Sequence, residues 1–406
     1  MKVLMIIPGL QTGGAETLFV RLACALKARG HLVVVSLFRR RGDDATLVNT
    51  LRQAGVPVYV RPLSSPRFYR LLYKLSAEIE KRCGRFNLVE WLHGRHLGRL
   101  QARYSFDAVN AHLIPAQRIA CVAFGRRPPR IVGSDHGDWR WQKTAGPAPD
   151  LEAVARRLDV LVCPCEDNLR RVELYPWAGA MDKTLIYYGY ELPPFTSRVG
   201  DDKEKVFTFG MIARGSERDK GWEEAVQAFL LARKRAKRPV RLVLVGAGDA
   251  VEKAKTLAGD LTDGSIVFAG YHSEPESLIA SFDVALLPTC YGPESLPCVI
   301  IECLAQGKPV ISTPIGGIPE MLKVDGEEAG ALVALSADGR ASVDELSAAM
   351  VRLAEDDASL VKARRAAGKA ALRFEMSRCV DQYESVLRAD AGDTQPAPMV
   401  CHDLLS

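Results

Sequence analysis

The sequence predicts an α/β protein of two doubly wound parallel-sheet domains, and three observations carry that expectation. Its 406 residues exceed one ordinary domain and suit two of similar size, each burying its own core. Short β-branched runs alternate with helical patterns along the chain, as strands joined by crossover helices do. The alternation begins twice, at Lys2 and again at Lys205.

The first half supplies the strand candidates VLMII, HLVVVSLF, DAVNAH and RIVGSDH. The second supplies VFTFG, RLVLVG, SIVFAG, DVALLP and PVIST. Between them ELPPFTSRVGDD breaks the periodicity with adjacent prolines, so a linker is expected over residues 191–204. That leaves a first domain over 1–190 and a second over 205–375. After Asp338 the pattern turns helical to about Ala389, and residues 391–406 have the composition of a frayed tail.

Composition excludes several classes. A net charge of +5 is too small by itself to indicate nucleic acid. The opening MKVLMIIPGL is stopped by Pro8 and Gly9, short of a signal peptide, and no window holds the roughly 18 continuous apolar residues of a membrane span. A cytosolic protein is expected. The ten cysteines lie scattered in apolar stretches, and Cys163 with Cys165 has no second pair at zinc spacing, so neither a disulfide framework nor a structural metal is expected.

Ligands of open parallel sheets bind beyond the carboxyl ends of the strands. At the first such place Gly13 and Gly14 open a helix whose bare N–H groups could approach an anion or a sugar, without the full dinucleotide fingerprint. Beyond the strand VFTFG, Arg214 and Lys220 could neutralise a diphosphate; isolated basic residues in a loop are more often simply solvated. In PESLPCVIIECLAQGKPVISTPIGGIPEML a short helix is bounded by Pro297 and Gly307, and Glu302 is a lone carboxylate among apolar neighbours. A buried carboxylate needs partners: a core cation, or a pair of ribose hydroxyls. Glu294 precedes it on the loop, and Gly316 with Gly317 precedes a second helix start at Pro319.

These residues together resemble the retaining glycosyltransferase family four, of GT-B fold. The likeness spans nearly the whole chain and rests on GGAE, Arg214 and Lys220, VLVGAGD, the E-x7-E pair of Glu294 and Glu302, GKPVIST, GGIPE and the final FEMSRCVDQYESVL helix. It implies that Arg214 and Lys220 hold the donor diphosphate, Glu302 the ribose and Glu294 the transferred sugar. Gly14, Leu296, Gly316 and Gly317 would line the donor site, with the base near Gly270 and Tyr271. The donor would be a nucleotide diphosphate sugar, UDP- or GDP-linked. The final helix, 376–390, would cross back to the first domain. Of two strand-end histidines, His136 is favoured as a donor-sugar contact, and His112 with Gly13 is assigned to the acceptor side. The chain departs from the family at YYGYE, where an Asn-Gly turn is usual, and at SLPC, where a glycine-rich turn is common.

No Asp-x-Asp motif offers a metal bridge, so no metal or other cofactor is expected and fixed positive charge would stabilise the leaving group. With no clear covalent nucleophile, front-face attack with retention follows. Glu302→Ala and Lys220→Ala are each expected to abolish turnover with the fold intact. Between Arg61 and Arg103, Leu71, Leu72, Leu75 and Ile79 fall at helical spacing amid Arg67, Arg70, Lys74, Lys81 and Arg82. That stretch, with Arg126, Arg127 and Arg130, suits either an ordinary packed helix or contact with an anionic inner-leaflet surface bearing a lipid-linked surface-glycan acceptor. The competing functions are a nucleotide-sugar epimerase, a non-catalytic nucleotide-sugar binder and, more weakly, a nicotinamide dehydrogenase.

Overall fold

The structure is a computed structural model describing residues 1–11, 13–38, 44–60, 72, 74–76, 78–79, 87–124, 129–137, 151–193, 206–215, 218–259, 263–272 and 276–388. Most of the expected linker, the tail 391–406, Arg67, Arg70, Leu71, Lys81, Arg82, Arg126 and Arg127 lie outside the described residues.

The chain forms two compact units. The first holds Met1–Pro164, Leu169–Ile186 and the chain from Val380 onward; the second holds Cys165–Asn168 and Tyr187–Cys379. The first unit is built on seven strands: β1 (Lys2–Ile7), β2 (Leu32–Leu37), β3 (Val58–Val60), β4 (Ala108–His112), β5 (Arg130–Ser134), β6 (Val160–Cys163) and β7 (Asp182–Leu185). They lie in the order β3-β2-β1-β4-β5-β6-β7, every pairing parallel. Strands buried on both faces read as continuous apolar runs, and β1 is buried from Val3 to Ile7. The order reverses between β1 and β4, which makes the carboxyl end of β4 a switch point.

The second unit repeats the design with β8 (Phe207–Ile212), β9 (Val240–Val245), β10 (Ile266–Gly270), β11 (Val284–Leu287), β12 (Val310–Ser312) and, after the small antiparallel pair β13 (Lys323–Val324) and β14 (Glu327–Glu328), β15 (Gly330–Leu332). The order β10-β9-β8-β11-β12-β15 is again parallel and switches between β8 and β11. Both sheets are therefore Rossmann-like.

The helix Met376–Arg388 begins in the second unit and, from Val380, joins the first. There Arg29 pairs with Asp381 at 2.6 Å, His31 with Glu384 at 2.6 Å, and Arg130 Nε donates to the Val386 carbonyl at 2.7 Å. The glycine of YYGYE has a packing reason. A Cβ on Gly189 would meet Met376 Sδ at 2.7 Å and Cys379 Cβ at 2.9 Å, so the turn admits no side chain there. Among the described residues no helix is long and apolar enough to cross a membrane.

Candidate functional site

In the second unit, β8 leads through Arg214 to a 3-10 turn, Arg218–Lys220, and the helix Trp222–Arg235. Gly221 caps that helix at φ 82°, a left-handed conformation in which a Cβ would strike the Pro288 carbonyl. The turn is thereby pressed onto the loop after β11. Cys290 N–H at 2.7 Å and the Thr289 hydroxyl at 3.1 Å both donate to the Asp219 carbonyl, tying the two segments together.

This seam buries Lys220. Its Nζ lies 2.5 Å from Glu294 Oε2 with each side chain only 10% exposed, and 4.6 Å above the Tyr291 ring. Thr289 Oγ1 stands 3.3 Å from the same carboxylate oxygen. Burial excludes the solvated-loop reading for Lys220, whereas Arg214 is exposed, its carbonyl accepting from Trp222 Nε1 at 3.3 Å. The expectation that Lys220→Ala would leave the fold untouched is corrected here, because that change strands a buried carboxylate.

Glu302 is the fifth residue of the helix Cys298–Ala305 and is buried, as its apolar neighbours predict. Leu296 and Ser295 just before this helix are buried too. The Ser295 carbonyl accepts from Gly317 N–H at 2.9 Å, and Gly316 stands at φ 57°, where a Cβ would strike the Glu294 carbonyl. The Gly317 amide is thus spent within the protein, which narrows the expected anion-binding turn. The two glycines act by letting the 315–318 segment close against the 294–296 loop. Glu320, next on that turn, accepts from Tyr187 OH at 2.8 Å and Glu166 N–H at 3.0 Å, and burial raises its carboxyl above the usual range. Gly270 ends β10 with its carbonyl accepting from Gly246 N–H at 2.8 Å, and Tyr271 beyond it is 60% exposed.

In the first unit Gly13 and Gly14 start the helix Gly14–Ala28 as expected, with the acidic Glu16 in its first turn. Phe19 of that helix sets its ring edge against His112, centroids 4.9 Å apart at 88°. His112 is the residue expected on the acceptor side. The residue is buried and both ring nitrogens are committed, Nδ1 to His136 Nε2 at 2.7 Å and Nε2 to Asn110 Oδ1 at 2.6 Å. His136, partly buried on the loop after β5, is the outer member of the pair. Burial pushes its pKa down to about 3, and burial together with His136 holds that of His112 well below the usual value.

Sequence reasoning missed Asn110, Ser134, Thr289 and Tyr291. The available signal was polar residues at alternate positions of an otherwise buried strand, Asn110 and His112 in DAVNAH. Among the described residues no group of three His, Cys, Asp or Glu side chains could hold a metal ion.

Residues 206–356 match the family described as glycosyl transferases group 1, and residues 12–180 match glycosyltransferase family 4, so the two together account for most of both units. The chain belongs to the group 1, family four glycosyltransferases. Among these glycosyltransferases it is 30% identical to the MMP alpha-(1->4)-mannosyltransferase of Mycolicibacterium hassiacum over 179 residues, 43% of this chain and 40% of that protein. It is 37% identical over 89 residues, 22% of this chain and 25% of the relative, to the lipopolysaccharide core biosynthesis glycosyltransferase LpsE of Rhizobium meliloti. The chain thus spans less than half the length of either relative. The crystal structure of Anabaena HepE in complex with UDP and glucose superposes with a TM-score of 0.70 at 19% identity, covering 95% of this chain and 99% of that one. The shared architecture is GT-B.

Proposed function

We propose that this glycosyltransferase moves a sugar from a nucleotide diphosphate donor to a glycan or lipid-linked acceptor, with retention and without a divalent cation. The observation that carries the reading is the buried Lys220, held against Glu294 at 2.5 Å at the carboxyl end of β8, the switch point of the second sheet. A cation fixed in a nearly dry seam needs no reorganisation to meet the charge that develops on a departing diphosphate. Exposed Arg214 adds a second positive charge from the same strand end. Glu302 would accept from the ribose hydroxyls, Glu294 would hold hydroxyls of the transferred sugar, and the exposed Tyr271 would offer a face to the base. The complex of HepE with UDP and glucose supports this donor class, and the relatives' roles in mannosyl transfer and lipopolysaccharide core biosynthesis support a hexosyl donor and a surface-glycan acceptor.

The acceptor side suits a lipid-linked precursor presented at an anionic surface. The helix Leu88–Tyr104 exposes Trp91, Arg95, Arg99 and Arg103 at four-residue spacing, with the Arg95 guanidinium 4.9 Å from the Trp91 ring centre. Flotation with anionic against neutral vesicles tests this half; equal recovery from both removes it. The transfer itself is tested by nucleoside diphosphate release with candidate acceptors, with and without chelator, and by the anomeric configuration of the product. Activity lost to chelator and restored by magnesium would overturn the metal-free reading. An inverted product would overturn retention.

A further inference from the structure

We infer that Arg340 is a positioning residue of the donor side, which neutralises the buried Glu224 and so keeps an uncompensated negative charge away from the turn that carries Lys220. That this turn meets a diphosphate rests on the proposed function; the pairing of Arg340 with Glu224 does not.

The turn is acidic in sequence. Asp219 precedes Lys220, and Glu223 with Glu224 follows in the first turn of the helix Trp222–Arg235. Asp219 is exposed and Glu223 half-buried, but the Glu224 side chain is only 7% exposed, so water screens it least. It lies within about one helical turn, roughly 5 Å along the axis, of Gly221. Glu294 already offsets the charge of Lys220 at 2.5 Å. A second bare carboxylate beside that pair would turn the local field negative and repel an approaching diphosphate.

Arg340 removes this charge from 116 positions away in sequence. Its Nη2 donates to Glu224 Oε2 at 2.8 Å and its Nε to Oε1, a two-point contact between two planar groups. The guanidinium, 20% exposed, also lies within electrostatic reach of Cys290 and Glu223. Cys290 is the residue whose N–H closes onto the Asp219 carbonyl, so the pair stands beside the clasp that buries Lys220.

The loop after β15 is shaped to deliver this side chain. Leu335 and Ala341 bridge antiparallel, the Ser336 N–H donates to the Arg340 carbonyl at 2.7 Å, and the Gly339 N–H donates to the Ser336 carbonyl at 2.8 Å. Gly339 makes the tight return at φ 78°, and Asp338 Oδ1 accepts from the Arg340 N–H at 3.1 Å. Residues 334–339 are exposed, whereas Arg340 is half-buried and Ala341 buried. Ser342 then caps the next helix, Val343–Glu355. A buried ion pair is often no more stabilising than apolar residues of equal volume, so stability alone does not call for this one. What it secures is charge balance beside Lys220.

Calorimetry at low salt with UDP and uridine, and with GDP and guanosine in parallel, tests the inference. It is run at about pH 9, where a carboxyl lifted by burial is still largely ionised. Arg340→Gln leaves Glu224 charged and unpaired. One charge about 10 Å from a diphosphate, at an effective dielectric of 20, changes affinity by on the order of tenfold. The nucleoside diphosphate should therefore bind about tenfold more weakly to this variant, and the uncharged nucleoside as before. Glu224→Gln leaves the opposite charge and should tighten diphosphate binding, with the double variant between the two. The Arg340→Gln defect should shrink as salt rises. A brace without an electrostatic role would weaken nucleoside and nucleoside diphosphate alike, and in both single variants; either result overturns the inference. Should Arg340→Gln fail to fold, unchanged or weaker diphosphate binding in Glu224→Gln overturns it alone. A native chain that binds neither UDP nor GDP overturns the proposed function and this inference with it, whereas native binding that neither variant alters overturns only the inference.

Discussion

Replacing Lys220 by Met keeps the length of the side chain and removes its charge, leaving Glu294 in a seam where it is 10% exposed. Stranding one member of a buried ion pair costs about 3–5 kcal/mol, a large part of the roughly 5–15 kcal/mol that holds a domain folded. Lys220→Met should therefore unfold the second unit at markedly lower urea. The fully buried Trp222, two residues on, reports that transition by fluorescence. Removing both charges, in Lys220→Met with Glu294→Gln, should recover most of the lost stability, since neutral replacements for a buried pair are often harmless. Catalysis should not recover. A cation about 4 Å from a developing charge contributes about 4 kcal/mol at an effective dielectric of 20, which corresponds to roughly a thousandfold in rate. Nucleoside diphosphate release measured beside the urea curve separates the two effects. The reasoning is refuted if the single variant is as stable as the parent, or if the double variant turns over within tenfold of it.

Three further outcomes follow from the geometry. Glu302→Gln should weaken nucleoside diphosphate binding by tenfold or more in calorimetry, the loss of charge-assisted hydrogen bonds worth roughly 1.5–3 kcal/mol, and undiminished affinity would remove it from the ribose site. Gly316→Ala should raise the donor KM and lower stability by more than the roughly 1–2 kcal/mol that a left-handed alanine costs, because its Cβ strikes the Glu294 carbonyl; Gly339→Ala, also left-handed at φ 78° but with open space around it, should show only the smaller penalty. The first unit should weaken in acid. His136 falls from its usual 6.5 to about 3 on folding, so between those values the unfolded chain takes a proton that the folded one refuses. The stability it confers is complete above pH 6.5 and is lost as pH falls toward 3. With the ring partly exposed, about 1–2 kcal/mol should go between pH 6.5 and 5, read as the difference in urea unfolding between the native chain and His136→Gln. Identical pH slopes for the two would contradict the burial argument.

The parallel sheets were legible because their signals are local. Apolar runs such as β1, the bounding Pro297 and Gly307, and the glycine start at Gly14 each act within a few residues of themselves. Where Arg214, Lys220 and Glu294 fall, in the loops after strands, and where Glu302 falls, inside the short helix bounded by Pro297 and Gly307, was legible for the same reason. What each of them touches was not. Lys220 and Glu294 are 74 positions apart and Ser134 and Tyr383 are 249 apart, separations that only the folded topology closes. A short sequence window therefore sees two charged residues, a solvated one and a buried one being indistinguishable, where the fold makes an ion pair.

The histidine pair marks the boundary between what could and could not be read. Strands β4 and β5 are sequence neighbours and sheet neighbours, so DAVNAH and RIVGSDH could have been laid side by side with His112 opposite Ser134. That alignment brings His136 within reach of His112 and Asn110 into the same row. The polar cost argues in the same direction: an amide and an imidazole in a strand that is otherwise fully buried are each expensive unless every hydrogen bond is made. A chain that only had to fold could have filled both positions with valine. Here the sheet carries a polar row instead, and Asn110 keeps it tolerable within the fold by bonding Ser134 Oγ at 2.8 Å through Nδ2 and His112 Nε2 at 2.6 Å through Oδ1, so that neither group is buried without a partner.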